Sequence, residues 1–328
     1  MSFLPRRATA TIALVAVGTA LVVGLPTPAT ASDIAPLETR FATDVVFAGV
    51  SGLRDVGAGS ITVAGVTGTV SRSYLYWHGP TNSADLAVNA QVAVNGTPVT
   101  GTNIGQSSDN CWGFQNSEAY RADVTALVTA DGSYALTNMT KTDAQVNGAS
   151  LVVFFDDGDT TNNRDVVMFD GNDSNQTNAF DAAGWNIALS GINYVSGAAS
   201  LQFVVSDGQT FGDGPVALNG TELVAADSWQ GDTVPLAVGG SDNSGFLWDH
   251  RSADITARLT PGVNDLAVTS GYINDCLSLI VAAVVLPAGA APNQPTTTTT
   301  TPTTVAPTST VAPTTTRVIP VVNPTFTG

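Results

Sequence analysis

The sequence predicts an all-β protein: two tandem copies of one β-sandwich-like unit, followed by a disordered C-terminal tail. Three observations lead there. The first is composition. Only 12 % of the 328 residues are charged, against about 25 % in ordinary globular proteins. Asp outnumbers Glu 24 to 3, Lys occurs once, at Lys141, and there are 32 Gly. Helix surfaces draw on Glu, Lys, Arg and Gln, so a mainly helical chain is excluded. The formal net charge of −16 excludes a nucleic-acid binder, which needs Lys and Arg for phosphate contacts. With 43 % hydrophobic residues, disorder throughout is excluded as well.

The second observation is strand-like texture. Short runs rich in Val, Ile, Thr, Tyr and Phe recur, broken by Gly, Asn and Asp: Ser60–Val66, Ser73–Trp77, Gln91–Asn95, Ser133–Asn138 and Ser150–Phe155. Many short strands with turn signals between them read as sandwich or barrel. Asn95-Gly96 and Asn219-Gly220 are hairpin signals, because both centre residues of the tight turn must accept positive φ. Asp123 and Asp254 each precede a short segment suited to one capped turn of helix. Turn-forming Asp accounts for the Asp bias without any metal.

The third observation is self-similarity. At a shift of about 126 residues, Ile61-Thr-Val-Ala-Gly-Val66 meets Ile187-Ala-Leu-Ser-Gly-Ile192, and Tyr74-Leu-Tyr-Trp77 meets Ser200-Leu-Gln-Phe203. At nearly the same shift Val94-Asn-Gly-Thr97 meets Leu218-Asn-Gly-Thr221, and Ala122-Asp-Val-Thr125 meets Ala253-Asp-Ile-Thr256. Ser150-Leu-Val-Val153 likewise meets Ser278-Leu-Ile-Val281, and Asp44-Val-Val-Phe47 meets Asp165-Val-Val-Met168. The period is a domain length, far beyond a solenoid repeat. The expected organisation is therefore a first sandwich over residues 32–160 and a second over 161–287.

The two ends stand apart. Met1 to Ala31 has a charged start at Arg6 and Arg7, an apolar stretch from Thr11 to Leu25, and Ala29-Thr-Ala31 as a small-x-small cleavage site, which reads as a secretory signal. The apolar run of about 15 residues falls short of the ~20 needed to cross a bilayer. No transmembrane segment is expected in the mature chain. Residues 288–328 are rich in Thr and Pro, with six Thr in a row from Thr296 to Thr301, and read as an extended stalk. Location is thus expected to be extracellular, associated with the cell surface.

The order of strand, Leu218-Asn-Gly, Asp254-Ile-Thr and Gly262-Val-Asn-Asp-Leu-Ala-Val268 resembles galactose-binding-like jelly rolls. The first copy departs from it at Asp131-Gly-Ser-Tyr-Ala-Leu136, which lacks the Asn. The runs Ile61–Val66, Tyr74–Trp77 and Gly148-Ala-Ser-Leu-Val-Val153 are similar to a domain of unknown function found in secreted archaeal and bacterial surface proteins. The resemblance spans roughly residues 40 to 287. It implies two jelly-roll-like sandwiches and a surface location, and no reaction. The jelly rolls often bind glycans through loops at one end, but no sugar-binding motif transfers residue by residue.

Candidate chemistry is sparse. Cys111 and Cys276, one in each copy at unmatched positions, are the expected disulfide of an exported chain. Asp156, Asp157, Asp159, Asn163 and Asp165, in the densest acidic stretch, are candidate ligands for calcium, which takes six to eight oxygens. An EF-hand is excluded, since Asn162 and Met168 stand where that loop needs Gly and Glu. A polar connection of Asx turns is the other reading. Trp112, Trp229 and Trp248 lie among polar residues and are candidates for stacking on a sugar, with packing beneath loops as the alternative. His78 and His250 are the only histidines, without metal-ligand spacing. His250 follows Asp249, but there is no Gly-x-Ser-x-Gly elbow to present a nucleophile. The expected role is structural or adhesive, with a cell-wall or extracellular glycan or a surface protein as partner. The alternative is a secreted hydrolase or its accessory carbohydrate-binding module.

Overall fold

A computed structural model describes residues 34–289 apart from 109–110, 181–182 and 241–245. The N-terminal stretch read as a secretory signal, residues 1–31, and the Thr/Pro stretch from residue 290 lie outside the described residues. The fold is all-β, with antiparallel pairing throughout the named strands and no α-helix among the described residues.

The chain first lays down β1 (Ala35–Val50), β2 (Gly59–Val63), β3 (Thr69–Thr81), β4 (Gln91–Val94), β5 (Thr97–Thr100), β6 (Thr102–Ser107), β7 (Asn116–Asp123), β8 (Gly132–Thr137) and β9 (Gly148–Asp156). After the loop 157–163 come β10 (Arg164–Ser174), β11 (Trp185–Tyr194), β12 (Ser200–Ser206), β13 (Val216–Leu218), β14 (Thr221–Val224), β15 (Trp248–Asp254), β16 (Gly262–Ser270) and β17 (Ser278–Pro287). A three-residue 3-10 turn, Thr256–Arg258, follows Asp254.

Nine strands form one sheet in the order β15-β12-β17-β10-β1-β9-β3-β7-β6. Two four-stranded sheets, β2-β8-β4-β5 and β11-β16-β13-β14, complete the fold. The strand that joins the halves is β1. Its first part pairs with β10, from Ala35 opposite Asp170 to Thr43 opposite Arg164. Its second part pairs with β9, from Asp44 opposite Phe155 to Val50 opposite Ala149. The switch falls at an irregularity between Arg40 and Thr43, where Ala42 has φ of 48°. Asp165 Oδ1 accepts the Ala42 amide at 2.9 Å, and Asn163 donates to the Ala42 carbonyl at 3.1 Å. Residues 34–289 therefore belong to a single compact unit, because the sheet runs unbroken from one half into the other.

Side-chain alternation explains three cores. On β3, Leu75 and Trp77 pack beneath the small sheet of the first half, with Val92, Leu136 and Tyr120. Their neighbours Tyr74 and Tyr76 face the other way, into a cluster that includes Phe154, Val166, Met168, Val204, Trp248 and Ile280 from both halves. A third cluster, around Phe169, Trp185, Phe203 and Trp229, fills the space beneath the small sheet of the second half. The two halves of the large sheet thus face each other across a shared core. Strands buried on both faces lose polar alternation, which is why β9 and β17 are almost uninterrupted apolar runs.

The turn signals act as the sequence implies. Asn95 and Gly96 take φ of 48° and 77°, and Asn219 and Gly220 take 50° and 74°. Each Asn side chain also ties its hairpin to the next strand, accepting the amide of Ala135 at 2.8 Å and of Ala267 at 2.7 Å. Asp123 and Asp254 accept the amides of Thr125 and Thr256 two residues on as Asx turns, but only the second is followed by a helical turn, Thr256–Arg258, whose N-cap is Ile255 with no side-chain cap.

Candidate functional site

The loops after β6, β12 and β16 meet in one place, and a covalent bond explains why. Cys111 and Cys276 form a disulfide, Cα atoms 6.0 Å apart, which joins residues 165 positions apart and one from each half. The 207–215 loop is zipped to the 271–277 loop. The amides of Asn274 and Asp275 donate to the Gly212 carbonyl at 3.0 and 3.2 Å, and the Gln209 amide donates to Asp275 Oδ2 at 2.9 Å.

Trp112, beside Cys111, is fixed on two sides. Its indole N–H donates to Asp207 Oδ1 at 2.8 Å, and the Arg54 guanidinium lies 3.7 Å from the ring centre. Arg54 pairs with Asp207 at 3.2 Å, and its Nε donates to Asn147 Oδ1 at 3.0 Å. Asn147 in turn donates to Ser206 Oγ and Asp207 Oδ1, both at 3.0 Å. Asp207 has a fully buried carboxylate and a φ of 74°. Burial lowers the Arg54 pKa from its ordinary value, and the Asp207 charge opposes that. The ion pair comes from both halves and holds a half-exposed indole at the surface.

His78 Nδ1 and Ser206 Oγ share a hydrogen bond of 2.7 Å beneath this pair. The imidazole is fully buried, and burial, with the Arg54 charge, pushes its pKa down to about 3. His250 Nε2 lies 2.6 Å from Ser150 Oγ, which also accepts the Trp248 indole N–H at 2.8 Å. Burial holds His250 down at about 4. This Ser–His pair has no room for a substrate. Ser150 is fully buried, and a Cβ on Gly49 would stand 2.9 Å from the imidazole. Asp249 leaves the opposite face of β15, where its carboxylate accepts the Gly231 amide at 2.7 Å and the Thr233 hydroxyl at 3.0 Å.

Of the three tryptophans considered for ligand contact, only Trp112 is at the surface, 37 % exposed. Trp229 and Trp248 are fully buried and offer no face to a ligand, which corrects the sequence expectation. The reason is packing. Trp229 stands edge-on to Trp185 and Phe203, and Trp248 lies against Gly148, where a Cβ would come within 2.5 Å of it.

The acidic stretch is held by its own backbone. Asp156 accepts the Gly158 amide, Asp157 that of Asp159, and Asp159 that of Thr161, at 2.8–2.9 Å. Asp165 accepts the amides of Ala42 and Gly289, both at 2.9 Å. Asn163 Nδ2 donates to the Ala42 carbonyl, and its Oδ1 is buried without a hydrogen-bond partner. Among the described residues no group of three or more His, Cys, Asp or Glu is gathered as a metal would need. The five residues act as Asx turns and as anchors for the β1 switch.

Sequence reasoning missed Phe211, Tyr272 and Ile273, which are 49 %, 45 % and 52 % exposed on the same loops as Trp112. Their signal is a lone aromatic beside Gly in a polar loop, as in Thr210-Phe-Gly212 and Gly271-Tyr-Ile-Asn274.

Beneath the loops Asp275 is buried, and burial, then the charges of Asp207 and Asp213, push its carboxyl up to about 8. The unfolded value is near the usual ~3.9. Folding therefore retains a proton, and this contribution is full below about pH 4 and is lost as pH rises to about 8. Burial also raises Glu118 to about 7 and Asp249 to about 6, so their contributions end sooner. Between pH 7 and 8.5 we expect the thermal midpoint to fall and Asp275→Asn to flatten that slope. Equal slopes in both proteins would exclude this role for Asp275.

Compared with known proteins, the chain matches no family model and no curated sequence.

Proposed function

We propose that this chain is an exported, cell-surface-associated binding head, with a structural or adhesive role, that holds an extracellular glycan or a surface protein through the disulfide-clipped loops. One observation carries the reading. The exposed aromatics among the described residues, Trp112, Phe211 and Tyr272, all stand on these loops. Aromatic rings fixed at a surface supply contact area at low entropic cost, and Trp112 is fixed before any partner arrives.

Further support comes from the chain's organisation. The order β7-β3-β9-β1 in one half is matched by β15-β12-β17-β10 in the other, and β2-β8-β4-β5 by β11-β16-β13-β14. Together with the repeated sequence blocks, this favours an internal duplication of a jelly-roll-like sandwich. The secretory segment, the Thr/Pro stalk and the disulfide favour export to the cell surface.

The test is co-sedimentation with an isolated cell-wall fraction. Wild-type protein is expected to bind without altering the fraction, and Trp112→Ala to bind about tenfold more weakly, the effect of removing one anchoring aromatic. Equal binding by Trp112→Ala would contradict the site. Release of soluble product by wild type would favour a secreted hydrolase instead.

A further inference from the structure

One inner edge of the large sheet is closed by a strand, and its counterpart is open. In one half the outer edge of β10 carries the first part of β1, Ala35 to Thr43, which runs antiparallel to it. In the other half the corresponding edge belongs to the second part of β1, because β9 and β3 stand beside it as β17 and β12 stand beside β10. From Asp44 to Val50 this part pairs with β9 alone, and no other named strand lies against it. The 234–237 segment reaches β1 only at its far end, where Ser51 bonds the Pro235 carbonyl.

Alternation along β9 fixes which backbone groups the open edge presents. Ser73, opposite Val153, spends its amide on Thr125 Oγ1 and its carbonyl on the Val124 amide. Its neighbours Arg72 and Tyr74 therefore bond β9, at Phe154 and Val152. Val153 and Phe155 turn the other way and bond β1, at Val46 and Asp44. The amides and carbonyls of Val45 and Phe47 are left pointing outward. Val45, Val46, Phe47 and Ala48 are all half-buried, without the alternation of a covered strand. They also lack the usual edge guards, for there is no charge, no proline and no bulge among them.

Beside this edge a cleft of about 510 Å³ opens between the facing sheets, lined by Val45, Phe47, Gln202, Val285 and Arg164 among others. It lies at the Arg164 end of β10, whereas the disulfide-clipped loops lie at the Ser174 end. Val45, Phe47 and Val285 give it an apolar wall continuous with the shared core. Arg164 stands at the Asp44 end of the cleft, since it pairs with Thr43 on β1. It is exposed, and among the described residues no carboxylate is within ion-pair distance of it. The acid of the lining, Asp44, is buried on the face of β1 opposite to Val45 and Phe47.

We propose that this edge is a docking slot for an extended segment of a partner protein, which adds to β1 as an antiparallel strand. The segment sets an apolar side chain on Phe47 and Val285 and brings an acidic residue near its C-terminal end to Arg164. Outward amides and carbonyls at strand spacing call for a backbone as ligand. The strand that closes the β10 edge is antiparallel, and an antiparallel segment on β1 has its C-terminal end at Asp44, beside Arg164. A second copy pairing edge to edge would bring only Val45-Val-Phe-Ala48 and leave Arg164 without an acid. The slot is separate from the loops that carry Trp112 and does not rest on their reading.

The experiment measures fluorescence anisotropy of labelled, C-terminally amidated heptapeptides with the full chain. The probe is Thr-Val-Thr-Val-Thr-Val-Glu, beside one ending in Lys and one with Pro at its centre. The Glu peptide is expected to bind, the Lys peptide about tenfold more weakly, and the Pro peptide at least about tenfold more weakly, because it lacks an edge-pairing N–H. Arg164→Gln, at an exposed position, should abolish the preference for Glu over Lys. Val45→Lys, a guard placed on the edge, should weaken the Glu peptide at least about tenfold at an unchanged thermal midpoint. In the wild-type complex, amide exchange should slow at Val45 and Phe47. Failure of the Glu peptide to bind, equal binding of the Pro peptide, or a Glu preference that survives Arg164→Gln would overturn the slot. So would self-association of the wild type that Val45→Lys abolishes, which gives the edge to a second copy. The loop reading stands or falls separately, with Trp112→Ala.

Discussion

Replacing Cys111 and Cys276 together by Ser is expected to lower the unfolding free energy by about 3–5 kcal/mol, as urea unfolding would read it. The bond closes a chain segment of 165 residues, and the chain-entropy gain grows with loop length. In a unit of this size each kcal/mol moves the thermal midpoint by about 2–4 °C, so a shift of order 10 °C is expected. The effect reaches function too. Cys111 sits next to Trp112, and Cys276 next to Asp275, so loss of the bond frees the two loops that carry Trp112 and Tyr272. Binding to the cell-wall fraction should weaken along with stability. An unchanged midpoint would mean that the shared sheet alone sets the stability of the loops.

Arg54→Met is expected to cost about 3–5 kcal/mol, the usual penalty for leaving one partner of a buried ion pair alone. The fully buried Asp207 carboxylate loses the Arg54 guanidinium while keeping the Trp112 and Asn147 donors, and Asn147 Oδ1 loses the Arg54 donor. Exposed pairs are worth only about 0–1 kcal/mol, so the size of the loss decides whether Arg54 and Asp207 act as a buried link between the halves. Adding Asp207→Asn should recover part of the loss, because the stranded charge is gone and Asn tolerates the left-handed backbone at that position. Trp112 emission should shift to the red as its cationic lid is removed. A loss below about 1 kcal/mol in urea unfolding would contradict the assignment.

Much of the fold was legible because its signals are local. Asn95-Gly96 and Asn219-Gly220 each sit between strand-like runs and form the same turn in both halves, whereas Asn147-Gly148, with no strand-like run directly before it, forms no turn and leads into β9. Trp77 lies in a strand-like run and is buried as that run implies, stacked on Tyr120 with ring centres 5.4 Å apart. Cys111 and Cys276 were the only candidates for a bond, and they form it. What was not legible is long-range register. Nothing in Ala35–Val50 announces that one strand changes partner half-way, because the switch depends on Asp165 and Asn163 more than 120 residues away. The site divides in the same manner. Trp112, Trp229 and Trp248 have similar polar neighbours in sequence, yet two are covered by strands and loops from elsewhere. Phe211 and Tyr272 resemble buried loop aromatics until the fold leaves them uncovered. The Arg54–Asp207 pair bridges 153 positions and has no local signature.

The most direct test is amide hydrogen exchange of the intact protein with and without the cell-wall fraction. Protection confined to residues 111–116, 207–215 and 269–276 is the result predicted for a binding head that works through its disulfide-clipped loops. Protection on the outer strands of the small sheets or across 156–163, with these loops unchanged, would contradict it.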